Sequence, residues 1–268
     1  MSTLKPKRIS ARQNPDLKRF LAARSRKDRT SLLIEGPKML EEARASNLRI
    51  EIIAVDESAV GLPDFTGGAA CPVLHVTRSL MRALSDVETS QGVVALARRP
   101  VFDRQWLTDQ RAFILILDRL QDPGNVGALI RSAEAAGVSG VLLTRGCADP
   151  FSPKALRASA GSALRLPHFP DLSPREALAL LPGAATVLMA RASLSAESIF
   201  EGAFALPIAL ALGSEGSGLD EEFERASGRA VRVPHARKVE SLNVAAAGAV
   251  AMFEIARRSG LLAPRSSP

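Results

Sequence analysis

Three loops in the C-terminal half of the chain hold the residues best suited to chemistry. The first is DRLQDPGNVGALIRSAEAAG, residues 118–137. Asp122-Pro123-Gly124-Asn125 suits a tight turn, and Gly127 permits a close approach of backbone. Asn125 and Arg131 lie six residues apart, with Arg131 in the early turns of the helix that follows. A turn followed by an ordinary surface arginine is the plain reading of these residues.

The second loop is LALGSEGSGLDEEF, residues 210–223. A P-loop needs Lys-Ser/Thr after its last glycine, but Leu219-Asp220 follow Gly218. A dinucleotide fingerprint needs glycines at i, i+2 and i+5, whereas Gly213, Gly216 and Gly218 stand at i, i+3 and i+5. Neither nucleotide template fits. The glycines still let backbone approach a flat ligand, and Glu215 at the loop tip is a candidate functional carboxylate. The third loop opens VRVPHARKVESLNVAAAGAVAMFEIARR, residues 231–258, where Ser241 and Asn243 stand at the start of a long helix. Helix capping explains these two residues at least in part. The run Ala245–Ala249 suits a helix that meets another backbone closely, within the fold or across a dimer.

The elements around these loops read as alternating strands and helices. FILILD (113–118), VLLT (141–144), TVLMA (186–190), PIALAL (207–212) and AVRVP (230–234) are apolar runs bounded by turn signals. Near-continuous apolar strands separated by helices predict a parallel α/β sheet covered on both faces. All three loops then follow carboxyl ends of strands, where open α/β sheets bind ligands. Upstream, SLLIEG (31–36), IEIIAVD (50–56), VLHVT (73–77) and GVVALA (92–97) read as strands of a smaller α/β unit. The expected division is a basic helix and α/β domain over 1–98, a polar linker over 99–111 and a larger domain over 112–268.

Charge separates the two parts. The first 30 residues carry ten basic and two acidic side chains, a net of +8, against +7 for the whole chain. A cationic end on a near-neutral body suggests a polyanionic partner, with nucleic acid leading and a solvated tail as the plain reading. Asn14-Pro15 reads as a cap and first helical residue, and Leu17, Phe20 and Leu21 recur at helical spacing. Arg8, Arg12, Lys18 and Arg19 are the candidate RNA contacts. Aromatic residues make up 4% of the chain and tyrosine is missing, so base stacking has little to work with.

Cys71 and Cys147 are the only cysteines, and His75, His168 and His235 are scattered. No metal site is expected, and a reducing cytoplasm fits. The longest apolar stretches fall short of a membrane span.

Together the three segments resemble the SpoU (TrmH-type) family of RNA 2′-O-methyltransferases, in the knotted SPOUT class. NVGALIRSAEAAG is similar to the family's first motif, GSEGSGL to its second and VPHARKVESLNVAAAGAVAMFE to its third, over about residues 112–258. DPFSPKALRASAGSALRLP (149–167) is similar to its intervening segment. More weakly, ISARQNPDLKR (9–19), LLIEGPKMLEEA (32–43) and TSQGVVALA (89–97) resemble the ribosomal-protein-like substrate-binding domain often attached to the family.

The resemblance implies a deep trefoil knot from about residue 208 and a homodimer whose active site draws on both subunits. It implies S-adenosyl-L-methionine (AdoMet) as cofactor, held near Gly213, Gly218, Val233 and Leu242. It makes Arg131 the activating residue, with Asn125, Glu215, Ser241 and Asn243 shaping the site. The implied reaction methylates a ribose 2′-hydroxyl in RNA, ribosomal RNA first and transfer RNA second. A non-catalytic RNA-binding or assembly protein that keeps the fold is the rival. A guanidinium stays protonated in proteins, which favours Arg131 as a positioner and alkoxide stabiliser over a literal base.

Overall fold

A strand that is apolar along nearly its whole length needs cover on both faces, and FILILD and GVLLT find it: all eleven of these residues, the terminal Asp118 and Thr144 included, are buried. A computed structural model describes residues 7–9, 13–25, 27–60, 71–214, 216–226, 228–236 and 241–262. It divides the chain into two units, 1–101 and 102–268.

The first unit runs β1 (Lys7–Ile9), α1 (Pro15–Arg24), β2 (Ser31–Glu35), α2 (Pro37–Ala45), β3 (Ile50–Asp56), β4 (Val73–Val76), α3 (Arg78–Leu84) and β5 (Val93–Arg98). Its sheet has the order β1-β4-β3-β5-β2, parallel on the β1 side and antiparallel through β5. α1 starts where the sequence places it, with the Asn14 side chain accepting the Asp16 amide at 2.8 Å. Leu17, Phe20 and Ala23 turn inward to join Leu33 and Leu96 in one core. Strand β1 has no sequence signal, because two of its three residues are Lys7 and Arg8.

The second unit runs β6 (Phe113–Asp118), α4 (Pro123–Ala135), β7 (Gly140–Thr144), α5 (Pro153–Ser159), β8 (His168–Leu172), α6 (Pro174–Ala179), β9 (Thr186–Ala190), β10 (Glu197–Ser198), β11 (Ile208–Gly213), α7 (Glu221–Arg225), β12 (Arg229–Arg232) and α8 (Val244–Arg258). Its seven strands lie in the order β10-β12-β9-β11-β6-β7-β8, and every pairing is parallel. From β6 the chain first proceeds outward through β7 and β8, and it later returns to place β11 on the other side. The order therefore reverses between β6 and β11, where Asp118 and Gly213 are register partners. Ligand crevices form at such reversals.

Helices close this crevice. α4 packs so tightly on α5 that a Cβ at Gly127 would meet the Ala155 carbonyl oxygen at 2.4 Å. At Gly248, in the small-residue run of α8, a Cβ would lie 2.5 Å from the Leu129 side chain and 2.7 Å from that of Leu212, so the close neighbours here are side chains within the fold rather than another backbone. Within the polar stretch 99–111, Leu107 is buried in this unit's core, with Phe102 packed against it.

Candidate active site

The loop after β6 reaches α4 through Asp122, whose Oδ1 accepts the Gly124 amide at 2.6 Å, with Pro123 beginning the helix. Asp122 also pairs with Lys154 of α5 at 2.8 Å. That hydrogen bond holds its carboxyl below the usual carboxylate range. Asn125 sits in the first turn of α4, and Arg131 lies exposed further along it.

Helix α8 brings the third segment to the first. Asn243 caps it, its Oδ1 accepting the Ala245 and Ala246 amides at 3.0 and 3.4 Å. Its side-chain nitrogen donates to Asn125 Oδ1 at 3.2 Å. Capping and site assembly are thus properties of one side chain.

The second segment folds back on itself. Ser214 bridges to Gly218, and the Ser214 and Ser217 hydroxyls lie 2.7 Å apart. Gly218 takes a left-handed φ of 64°. A Cβ on Gly213 would meet the Gly218 carbonyl carbon at 2.3 Å, so the turn requires glycine there. Glu215, at the tip, lies outside the described residues.

Beneath this turn is a cavity of about 380 Å³, within the range of small-molecule sites, ~300–1,000 Å³. Its walls include Leu212, Val231 and Ile199, with Arg191, Glu224 and His235 supplying polar groups. All four residues expected to hold a cofactor, Gly213, Gly218, Val233 and Leu242, line it, and so does Ser241. Apolar walls suit a flat base, and the bare backbone at Gly213 allows hydrogen bonding at contact distance. The cavity therefore fits AdoMet. Asn125, Arg131 and Asn243 are not among its lining residues.

The sequence profile of the SpoU rRNA methylase family matches residues 112–253, which span all three loops. The chain belongs to the SpoU rRNA methylase family. A second profile, the MRM3-like substrate binding domain, matches residues 14–95. Among similar proteins, an uncharacterised tRNA/rRNA methyltransferase of Synechocystis sp. is 34% identical over 93% of each chain. The Bacillus subtilis 23S rRNA (guanosine(2553)-2′-O)-methyltransferase RlmP is 30% identical over 93% of this chain and 99% of its own. The crystal structure of an AdoMet-bound rRNA methyltransferase from Sinorhizobium meliloti aligns with a TM-score of 0.79 and 27% identity, covering 94% and 97% of the two chains.

In this SpoU protein the candidate RNA contacts have different surroundings. Lys18 is exposed on α1. Arg19 is tied to Glu51, which also pairs with Arg98 at 2.9 Å. Arg8 pairs with Glu57 at 2.8 Å, and Arg12 lies outside the described residues. Cys147 has a packing role: its thiol donates to the Leu117 carbonyl at 3.2 Å, and burial pushes its pKa up. His168 is buried between Phe102 and Phe151. Sequence reasoning missed Arg191, Glu224 and His235 at the cavity, because no motif spacing marks them. Among the described residues no cluster of potential metal ligands occurs.

Proposed function

We propose that this protein transfers the methyl group of AdoMet to a ribose 2′-hydroxyl in ribosomal RNA. The observation that carries this reading is the cavity at the carboxyl ends of β9, β11 and β12, walled by Gly213, Gly218, Val233 and Leu242. Family membership and the named activity of the Bacillus relative support it.

Gly213, Gly218, Val233 and Leu242 would hold AdoMet, which supplies an electrophilic sulfonium methyl when bound. A ribose hydroxyl is a weak acid and needs its developing negative charge stabilised as it attacks. Arg131 is assigned that role, with its planar guanidinium orienting the oxygen and gripping the neighbouring phosphate. Asn125 and Asn243 join α4 to α8, Ser241 lines the cavity, and Glu215 is assigned its part by the family resemblance.

Arg131 stands outside the residues lining the cavity. This favours a homodimer in which a second copy completes the site. Val250 and Phe253 on α8, 39% and 42% exposed, offer apolar surface for that pairing. The first unit is the RNA-binding domain, with Lys18 on its basic helix. The trefoil knot from about residue 208 belongs to the same reading, supported by family membership. So does a cytoplasmic location, the compartment of ribosomal RNA; no helix among the described residues is long and apolar enough to cross a membrane.

The test is transfer of labelled methyl from AdoMet to unmodified ribosomal and transfer RNA, followed by mapping of 2′-O-methyl positions. Methylation of a ribosomal RNA ribose supports the proposal. Methylation confined to transfer RNA overturns the substrate, and absence of transfer from a folded, RNA-binding protein favours the assembly-factor reading.

A further inference from the structure

We infer that Asp118 is a positioning residue that locks the loop leading to Asn125 and Arg131 against the loop enclosing the cofactor cavity. The inference deepens the proposed methyl transfer and rests on that reading of the cavity.

Asp118 ends β6 and is 1% exposed. Its Oδ1 accepts the Thr144 hydroxyl at 2.6 Å. Its Oδ2 accepts the Asp220 backbone N–H at 2.8 Å and lies 3.1 Å from the Arg119 guanidinium. Thr144 Oγ in turn accepts the Arg119 backbone N–H at 3.0 Å. Arg119, at a left-handed φ of 55°, extends its guanidinium to within 3.5 Å of the Asp220 carboxylate and 3.4 Å of the Gly218 carbonyl. One carboxylate thus joins the ends of β6 and β7 to the loop after β11.

The second loop is pinned by Asp118 at both ends. Gly213 is its register partner in the β6–β11 ladder, and Asp220, seven residues on, donates to its side chain. Between those tethers lie Gly213, Gly218 and Leu219 of the cavity wall. Asp118 also stands four residues before Asp122, the cap that sets the start of α4. A buried carboxylate is costly unless every lone pair finds a donor, and here the donors come from the loops that must stay in register. An apolar residue at the end of β6 would fill the space and fix neither loop.

Asp118→Asn keeps the shape but removes the charge facing Arg119 and leaves a single accepting oxygen, so the carboxamide cannot accept both the Asp220 N–H and the Thr144 hydroxyl. In the full-length protein it should weaken AdoMet affinity, read by calorimetry, by about tenfold or more. Amide exchange across residues 214–223 should accelerate, with β6 and β7 still protected. Thr144→Val, which removes one partner, should shift both readouts in the same direction by less. Leu107→Ala is the control for general destabilisation, since Leu107 packs on Gly140 at the opposite end of β7. It should lower the melting temperature and leave AdoMet affinity and exchange over 214–223 unchanged. The assignment is overturned if Asp118→Asn binds AdoMet as the wild type does with unaltered exchange, or if Leu107→Ala reproduces both effects. Neither readout uses RNA, so a wild-type protein that binds AdoMet but methylates no RNA would overturn the reaction and leave the Asp118 result to stand on its own.

Discussion

Asn243 donates to Asn125 across 118 residues of sequence, at 3.2 Å, while its carboxamide oxygen caps the helix that follows. The two roles can be separated. Asn243→Ala loses the cap, worth ~1 kcal/mol, and should lower the melting temperature by about 2–4 °C. Asn243→Asp keeps the cap but removes the donor, so it should retain stability while slowing methyl transfer. Equal stability and equal rate in Asn243→Asp would show that the contact with Asn125 has no part in the site.

Gly213 and Gly216 make a matched pair. A Cβ at Gly213 would collide with the backbone of Gly218, whereas at Gly216 it meets nothing within 4 Å. Gly213→Ala should weaken AdoMet binding about tenfold or more, because the turn must open to admit the methyl. Gly216→Ala should bind as the wild type does. Calorimetric titration checks both, and equal affinities would remove the turn from the cofactor site.

The basic helix predicts unequal effects of neighbouring charges. Lys18 is exposed, while Arg19 is engaged by Glu51. Lys18→Ala should weaken RNA binding and reduce the salt slope by roughly 0.7–0.9. Arg19→Ala should act chiefly on stability. An unchanged slope in Lys18→Ala would return the N-terminal charge to a solvated face.

Near the end of α8, hydrogen bonds from Arg257 and Arg258 hold the Glu254 carboxyl down to about 2, from an ordinary 4.5. A depressed carboxyl contributes stability above its unfolded pKa and loses it as pH falls through the folded value. Glu254→Gln should therefore melt roughly 1–3 °C lower at pH 7. The gap should be constant above about pH 5 and close as pH falls towards 2. A gap that persists at pH 2 would mean packing, rather than charge, carries the effect.

The strands, turns and helix caps around this site are legible in the sequence because they use local rules, whereas the roles of Arg131, Val233 and Leu242 come from the resemblance to SpoU proteins. Short apolar runs bounded by turn signals, such as FILILD, suit buried strands, and glycine at 213 and 218 announces a backbone turn. Asn14 and Asn243 cap the helices they precede. The rest is set by pairings between distant segments. β1 and β8 escape notice because Lys7, Arg8, Pro170 and Asp171 mask them, and neighbouring strands alone make them strands. Asp118 looks like the polar end of an apolar run until Thr144 and Asp220 are seen to converge on it. Arg191, Glu224 and His235 reach the cavity from three separate segments. Arg19 reads as a free cation because Glu51 is 32 residues away.

Arg131→Ala offers the most direct test, with methyl transfer to ribosomal RNA and AdoMet affinity measured on the same preparation. Removing the guanidinium should lower the transfer rate by about 100- to 1,000-fold or more while AdoMet binds as before. Wild-type transfer by Arg131→Ala would contradict its placement at the reacting oxygen.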